Sequence, residues 1–164
     1  MHEEPLDAML AALRTRAAAE LKDALRNAPV EVLQKVAVDL VPALVRIASY
    51  AGEPSDAGEN WVEVVARSRV AGLPPILVRI HRGPFDAADG LSVISSLRKA
   101  DSTQVAVIFV NDRAVNVAPF IGADAQWTFD LDGLVNLMLN ARVGVTERMV
   151  AAIFIDGGYF ARVT

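Results

Sequence analysis

The chain has 164 residues, of which 53% are hydrophobic, and its 16 basic and 20 acidic side chains give a net charge of −4. A chain of this length and apolar content can bury the core of one domain, which excludes intrinsic disorder. The lack of cysteine excludes disulfides, thiolate zinc sites and cysteine nucleophiles. Because the net charge is negative, contact with nucleic acid would have to come from a local basic patch.

Neither an export signal nor a membrane span is expected. The N-terminal residues MHEEPLD are acidic where a signal peptide would be basic. The most apolar stretch, VAVDLVPALVRIASY, is too short for a span and is interrupted by Asp39, Pro42 and Arg46. We therefore expect a cytoplasmic protein with no membrane partner.

The first 60 residues predict two helices and a loop. Apolar residues recur at helical spacing over residues 5–27 and again over 30–50. Pro29 suits the first turn of the second helix, in which Pro42 predicts a kink or a break. Residues 51–60, AGEPSDAGEN, are predicted to be a loop on composition alone.

The next segments predict two strands whose polar residues share a face. WVEVVARSRV, residues 61–70, alternates so that Glu63 and Arg67 lie on one side. ILVRIHR, residues 76–82, is apolar except for its basic residues, and Arg79 and His81 lie two residues apart. Side chains two apart on a strand point to the same face, so both could reach one site.

The second half of the chain continues the alternation of helices and strands. Residues 86–100 predict a helix with Leu91, Ile94 and Leu97 inward, and the apolar run 104–110 predicts a strand covered on both faces. Residues 113–122 are weakly helical or irregular, and QWTFDL is a short strand. Asp132 is predicted to cap a helix over 133–142, and Gly144 to stop it. A last strand over 149–155 and a turn and tail follow. This order predicts an α/β fold in which helices flank a mixed sheet.

Several familiar sites are absent from the sequence. It has neither a G-x-x-x-x-G-K-[ST] phosphate loop nor the glycine fingerprint of dinucleotide-binding folds. His2 and His81 are the only histidines and lack the spacing of zinc ligands. No serine lies in a nucleophile elbow.

Three blocks of sequence carry a family resemblance. They are LQKVAVDLV (33–41), WVEVVARS with ILVRIHR (61–82), and FDLDGLVNLMLNARVGV (129–145) with IDGGYF (155–160). Together they resemble the catalytic domain of Mrr-type (type IV) restriction endonucleases, in the PD-(D/E)xK nuclease superfamily. The resemblance implies a restriction-endonuclease-like domain over residues 29–164 and leaves residues 1–28 as an N-terminal helical extension. The segment AAIFIDGGYF also resembles the opening strand of an NYN-type ribonuclease domain, but the Mrr-type tail with a turn at Asp156 is preferred.

The resemblance implies a Mg²⁺-dependent endodeoxyribonuclease associated with foreign-DNA restriction or defence. The family's helix carboxylate, strand Asp and Gln-x-Lys pair fall on Gln34, Glu63, Arg79 and His81. Mg²⁺ needs several oxygen ligands, yet only Glu63 is a carboxylate here and Arg79 has no acceptor atom. At an effective dielectric near 20, a divalent ion ~4 Å from the Arg79 guanidinium would be repelled by about 8 kcal/mol.

We therefore expect Glu63 to pair with Arg79 and cleavage to be impaired or lost, with Mg²⁺ as cofactor only if the site is active. In a second reading, Asp56 or Glu59 replaces the missing ligands. In a third, the polar residues of the two strands form either a network in the core or a retained contact to DNA phosphate.

A basic rim for DNA is also predicted. Residues 61–99 hold six Lys or Arg residues and three acidic ones. The proposed DNA contacts are Arg67, Arg69, Arg82, Arg98 and Lys99. The alternative to such a rim is an ordinary solvated surface. The alternative function is a non-catalytic interaction or dimerisation module, in which the helix over 5–27 binds a second copy or a partner subunit.

Overall fold

The computed structural model describes residues 3–111, 114–122, 126–148 and 152–161. The helices are α1 (Glu3–Asn27), α2 (Val30–Val45), α3 (Ala87–Ala100), α4 (Ala118–Ile121), α5 (Leu131–Ala141) and α6 (Gly157–Ala161). The strands are β1 (Tyr50–Ala57), β2 (Trp61–Ser68), β3 (Ile76–His81), β4 (Gln104–Phe109), β5 (Gln126–Phe129), β6 (Val145–Arg148) and β7 (Ala152–Ile155).

Five strands form the central sheet in the order β1-β2-β3-β4-β5. The first three strands pair antiparallel, and β4 and β5 then add parallel to β3. A parallel neighbour needs a crossover connection, and α3 supplies it between β3 and β4. β6 and β7 form a separate antiparallel pair. The predicted fold class, a mixed sheet flanked by helices with a further N-terminal helix, is confirmed.

The two faces of the sheet bury two separate cores. Alternate residues of β2, such as Val62 and Val64, pack with α1, α2 and α5, whereas Val65 packs on the other side with Val93 of α3. The apolar run in β4 is buried on both faces, as predicted. Any polar residue facing α3 from the middle of β2 or β3 is therefore removed from water.

The first helix is part of the larger core. Ala17, Leu21 and Leu25 are buried in the cluster that also contains the apolar side of α2, while Leu6 and Met9 near the start of α1 are exposed. Within the described residues, no helix combines the length and apolar character needed to cross a membrane.

The predicted loop over 51–60 is wrong, because Tyr50–Ala57 form the edge strand β1. Its composition suggested a loop, but Gly52 has a packing role. A Cβ at Gly52 would lie 2.9 Å from side-chain atoms of both Val41 and Val64. The pairing with β2 shifts between Pro54 and Asp56, which is how an edge strand accommodates a proline.

Helix α5 is capped by a different aspartate from the one predicted. The Asp130 carboxylate accepts the backbone N–H of Gly133 at 2.7 Å, so the helix begins at Leu131. Asp132 lies inside the first turn and forms an exposed ion pair with Lys22. The helix ends at Ala141 with Arg142 in the left-handed conformation as its C-terminal cap, and Gly144, which was predicted to stop the helix, has a positive φ two residues further on.

Other boundaries also differ from the predictions. α2 runs through Pro42 but ends at Val45. In α3, Leu91 was expected to face inward but is 67% exposed, and Val93 is buried instead. Strand β6 was not predicted, and part of the predicted tail is the short helix α6, whose Tyr159 N–H is accepted by the Asp156 carboxylate at 3.2 Å. Residues 149–151 of the predicted last strand and residues 162–164 of the tail lie outside the described residues.

Candidate functional site

The polar residues of β2 and β3 lie opposite one another on the face that α3 covers. In the antiparallel register, Glu63 faces Arg79 and Trp61 faces His81. Directly opposite residues on one face of a sheet are close enough for their side chains to interact. The alternation recognised in the sequence therefore brings the four side chains together.

Glu63 and Arg79 form a buried ion pair, as expected. Both side chains are 0% exposed, and the Arg79 Nε and Nη2 atoms each lie 3.3 Å from Glu63 Oε2. Ser96 of α3 donates its hydroxyl to Glu63 Oε1 at 2.6 Å, and Ser92 accepts from Arg79 Nη2 at 2.7 Å. Both carboxylate oxygens of Glu63 are thus occupied by protein donors.

Trp61 covers the guanidinium group. The Arg79 Cζ atom lies 4.0 Å from the centre of the indole ring, a cation–π arrangement that suits a planar guanidinium. Burial lowers the pKa of Arg79, and the nearby Glu63 carboxylate partly offsets that effect. The guanidinium keeps its charge at neutral pH, because the pKa of arginine begins so far above that range.

The structure adds two serines that the sequence reasoning missed. Ser92 and Ser96 are four residues apart on α3, a spacing that places them on one side of the helix. That spacing was readable in the sequence. The role of the two serines was not readable, because no local feature of the sequence showed that this side of α3 covers Glu63 and Arg79.

Gln34 reaches the site from the other face of the sheet. Its Nε2 atom donates to the backbone carbonyls of Asp56 and Glu63, at 3.3 Å each, and not to the Glu63 carboxylate. The four positions implied by the family resemblance are therefore not gathered into one ligand set. Among the described residues, no group of three His, Asp or Glu side chains is placed to hold a metal ion.

His81 is 1% exposed and has surroundings of its own. Its Nε2 atom lies 2.9 Å from the carbonyl oxygen of Pro84 and 3.8 Å from the Asp89 carboxylate. The rings of Phe85 and Phe109 meet the imidazole edge-on, with centroids 5.2 and 6.1 Å away. These contacts hold the ring in the smaller core and do not include Glu63.

Two clefts lie at this site. The first, called here the Glu63 cleft, has a volume of about 210 Å³. It is lined by Ser55, Asp56, Glu63, Val65, Arg67, Leu77, Ser96, Lys99 and Ala100. The second, called here the His81 cleft, has a volume of about 390 Å³. It is lined by Glu59, Asn60, Trp61, His81, Pro84, Asp86 and Asp89. The two acids considered as replacement ligands are thus in different clefts, Asp56 in the first and Glu59 in the second.

Four of the five predicted DNA-contacting residues lie at one end of the sheet. Arg67 and Lys99 line the Glu63 cleft, and Arg69 and Arg98 are exposed beside them in sequence. Arg82 lies at the opposite end of the β2–β3 pair. There its backbone N–H donates to the Asn60 carbonyl and its side chain donates to the Ala28 carbonyl. Six residues of β2 separate the two ends, a span of roughly 20 Å. The predicted single rim is therefore a group of four, with Arg82 apart.

A scan of protein-family models finds no match, and a search of curated proteins finds none with significant similarity. The resemblance to Mrr-type nucleases therefore remains a prediction from the sequence blocks.

Proposed function

We propose that this chain is a DNA-binding protein of the Mrr-like restriction-endonuclease type, associated with recognition of foreign DNA, that no longer cleaves phosphodiester bonds. The observation that carries the proposal is the state of Glu63. It is the only carboxylate at the four positions implied by the resemblance, and it is fully buried and bonded to Arg79 and Ser96.

The ion pair is what argues against metal-dependent cleavage. A Mg²⁺ ion at Glu63 would have to displace Arg79, and the displaced guanidinium would be left buried without its counter-ion. Breaking a buried pair in this way costs about 3–5 kcal/mol. Mg²⁺ also needs several oxygen ligands, and neither Arg79 nor His81 supplies one.

The group of four cations supports DNA as the ligand. Arg67, Arg69, Arg98 and Lys99 are all exposed, and none of them forms an ion pair with another described residue. Unpaired cations at one end of an acidic protein give the local positive potential that phosphate binding requires. Such contacts would position the protein on DNA without reading its sequence.

Cleavage is tested on supercoiled plasmid with the protein in excess and either Mg²⁺ or Mn²⁺ present. We expect neither nicked nor linear product. Cuts that appear with metal and disappear in Glu63→Ala would overturn the non-cleaving half of the proposal.

DNA binding is tested by measuring affinity for duplex DNA across a salt series. The slope of log K against log salt should fall in magnitude by about 0.9 for each phosphate contact removed by Arg69→Gln or Arg98→Gln. The matched control is Arg16→Gln, on the exposed side of α1, for which no change is expected. No binding of the wild-type protein at low salt would overturn the proposal.

A second candidate, an interaction module, is favoured by the start of α1. Met9 is 60% exposed and Leu6 is 42% exposed, on a helix whose later turns are buried in the core. If this surface holds a second copy, Met9→Glu should shift sedimentation of the wild-type assembly towards the monomer. Leu91→Glu, at an exposed leucine of α3, is the control. A wild-type protein that sediments as a monomer at high concentration would rule out self-association.

A further inference from the structure

We propose that the Glu63 cleft binds a single phosphate group between Arg67 and Lys99. The inference deepens the proposed function and rests on it for the macromolecular ligand, since the phosphate could belong to a DNA strand. Free phosphate presents the same chemistry, and the experiment below separates the two sources.

Three elements contribute donors to this cleft. Ser55 comes from β1, Arg67 from β2 and Lys99 from α3, while the Ser96 hydroxyl hydrogen is already donated to Glu63. Arginine offers phosphate a planar fork of N–H donors, lysine a compact point charge, and serine a hydroxyl donor. Such a set suits an anion with oxygens on several sides.

The charges of the cleft favour an anion. The Glu63 carboxylate lines the cleft, but its charge is balanced by Arg79 and its oxygens already accept from Arg79 and Ser96. Asp56 is the remaining acid, and one of its oxygens accepts the N–H of Ala57 at 2.8 Å. Two cations without ion-pair partners among the described residues therefore face one uncompensated carboxylate.

The cleft is held in shape from within. The 2.6 Å hydrogen bond from Ser96 to Glu63 connects α3 to β2, and both residues line the cleft. Because Lys99 follows Ser96 by one helical turn and Arg67 follows Glu63 along β2, that bond holds together the two backbone segments that carry the cations.

The volume limits the ligand to a small group. At about 210 Å³ the cleft is smaller than the roughly 300–1,000 Å³ typical of pockets that enclose a whole organic ligand. A phosphate group is small enough to enter the cleft, while the rest of a nucleotide or a DNA strand would remain outside.

The test is calorimetric titration of the full chain with inorganic phosphate, against chloride at matched ionic strength. We expect saturable phosphate binding that Arg67→Gln and Lys99→Gln each weaken about tenfold, through loss of a charge-assisted hydrogen bond. Arg16→Gln, which removes one charge from the exposed side of α1 far from the cleft lining, should bind as the wild type does. A wild-type protein that takes up no phosphate overturns the inference. So does a loss that is equal in all three variants, since it would reflect diffuse charge.

Competition separates this inference from the proposed function. Inorganic phosphate should displace a short DNA strand from the wild-type protein if the strand places a phosphate in the cleft. DNA binding that is insensitive to phosphate and to Lys99→Gln would overturn DNA as the source of the phosphate in the cleft and leave the proposed function standing. If phosphate binds with the expected variant pattern but DNA does not bind, the inference stands and the proposed function is overturned.

Discussion

The two clefts on the α3 face differ in charge, although they share the same strand pair, because only the Glu63 cleft sets cations beside its acids. The Glu63 cleft is lined by Arg67 and Lys99, while the His81 cleft is lined by Glu59, Asp86 and Asp89 and by no lysine or arginine. Arg79 lies between them, bonded to Glu63 on one side and stacked on Trp61 on the other. One sequence pattern, polar residues on alternate strand positions, thus leads to two chemically distinct surfaces.

The difference explains why the site does not resemble a metal centre. The carboxylates of the His81 cleft are partly committed, since Asp86 and Asp89 accept each other's backbone N–H in the capping box of α3. The Glu63 cleft has carboxylates too, but cations accompany them. The acids are therefore divided between two clefts on either side of a buried arginine, and among the described residues no three of them are placed to hold a metal ion.

The largest expected effect comes from breaking the Glu63–Arg79 ion pair, which lies between the two clefts. Glu63→Ala leaves Arg79 buried without its counter-ion and should lower the free energy of unfolding by about 3–5 kcal/mol. Chemical denaturation is the measurement. The control is the double variant Glu63→Met with Arg79→Met, which replaces both charges by apolar side chains and should recover most of the loss. A loss below 1 kcal/mol in the single variant, on the scale of an exposed ion pair, would contradict the burial of this pair.

The next largest effect is expected from removing the hydrogen bond between Ser96 and Glu63, which lies in the Glu63 cleft. Ser96→Ala removes the hydroxyl that donates to the buried carboxylate and should cost about 1.5–3 kcal/mol, the range for hydrogen bonds to charged groups. Ser95→Ala is the matched control, because Ser95 is its exposed neighbour on the same helix and should change stability by no more than about 0.5 kcal/mol. Equal losses in the two variants would count against the hydrogen bond.

On the other side, the position of Trp61 depends on Gly58. A Cβ at Gly58 would lie 2.4 Å from the Trp61 Nε1 atom, so Gly58→Ala should push the indole away from Arg79. Overpacking of this kind typically costs about 1–3 kcal/mol. The checks are thermal unfolding and tryptophan fluorescence, with Gly157→Ala as the control, where an added Cβ meets nothing within 4 Å. An unchanged spectrum in Gly58→Ala would contradict the stacking.

The smallest effect is a pH dependence confined to the His81 cleft. Hydrogen bonds from Asp89 lower the pKa of Asp86 below its ordinary value of 3.8. A carboxyl whose pKa is lowered by folding contributes stability that is complete above the unfolded-state pKa and lost as the pH falls through the folded one. Below about pH 4, the wild type should therefore lose stability that Asp86→Asn, which cannot titrate, retains. Unfolding midpoints across an acid series test this, and parallel curves would contradict it.

The sequence predicted the strand pair well because period-two alternation is a local signal. Spacing alone assigned Arg79 and His81 to one face of their strand, whereas the expectation that Glu63 pairs with Arg79 came from the family resemblance that places both at one site. The roles of Ser92 and Ser96 could not be predicted in the same way. They depend on which side of α3 meets the sheet, and that is decided by packing between distant segments.

The errors have similar physical causes. The glycine, proline and aspartate content of residues 51–57 suggested a loop, but tertiary packing against α2 makes this segment an edge strand. The prediction places Arg82 with the other cations because the elements that carry them are neighbours. Strand direction puts it at the other end of the sheet, beside Asn60.

The Glu63 carboxylate is bonded to Arg79 and Ser96, and we propose that it therefore holds no metal. The most direct measurement is NMR of the wild-type protein titrated with Mn²⁺, whose paramagnetism broadens signals near any bound ion. We predict no site-specific broadening at Glu63, Ser96 or the neighbouring residues of β2. Broadening centred on Glu63 and relieved by excess Mg²⁺ would show a metal site in place of the ion pair and would contradict the account.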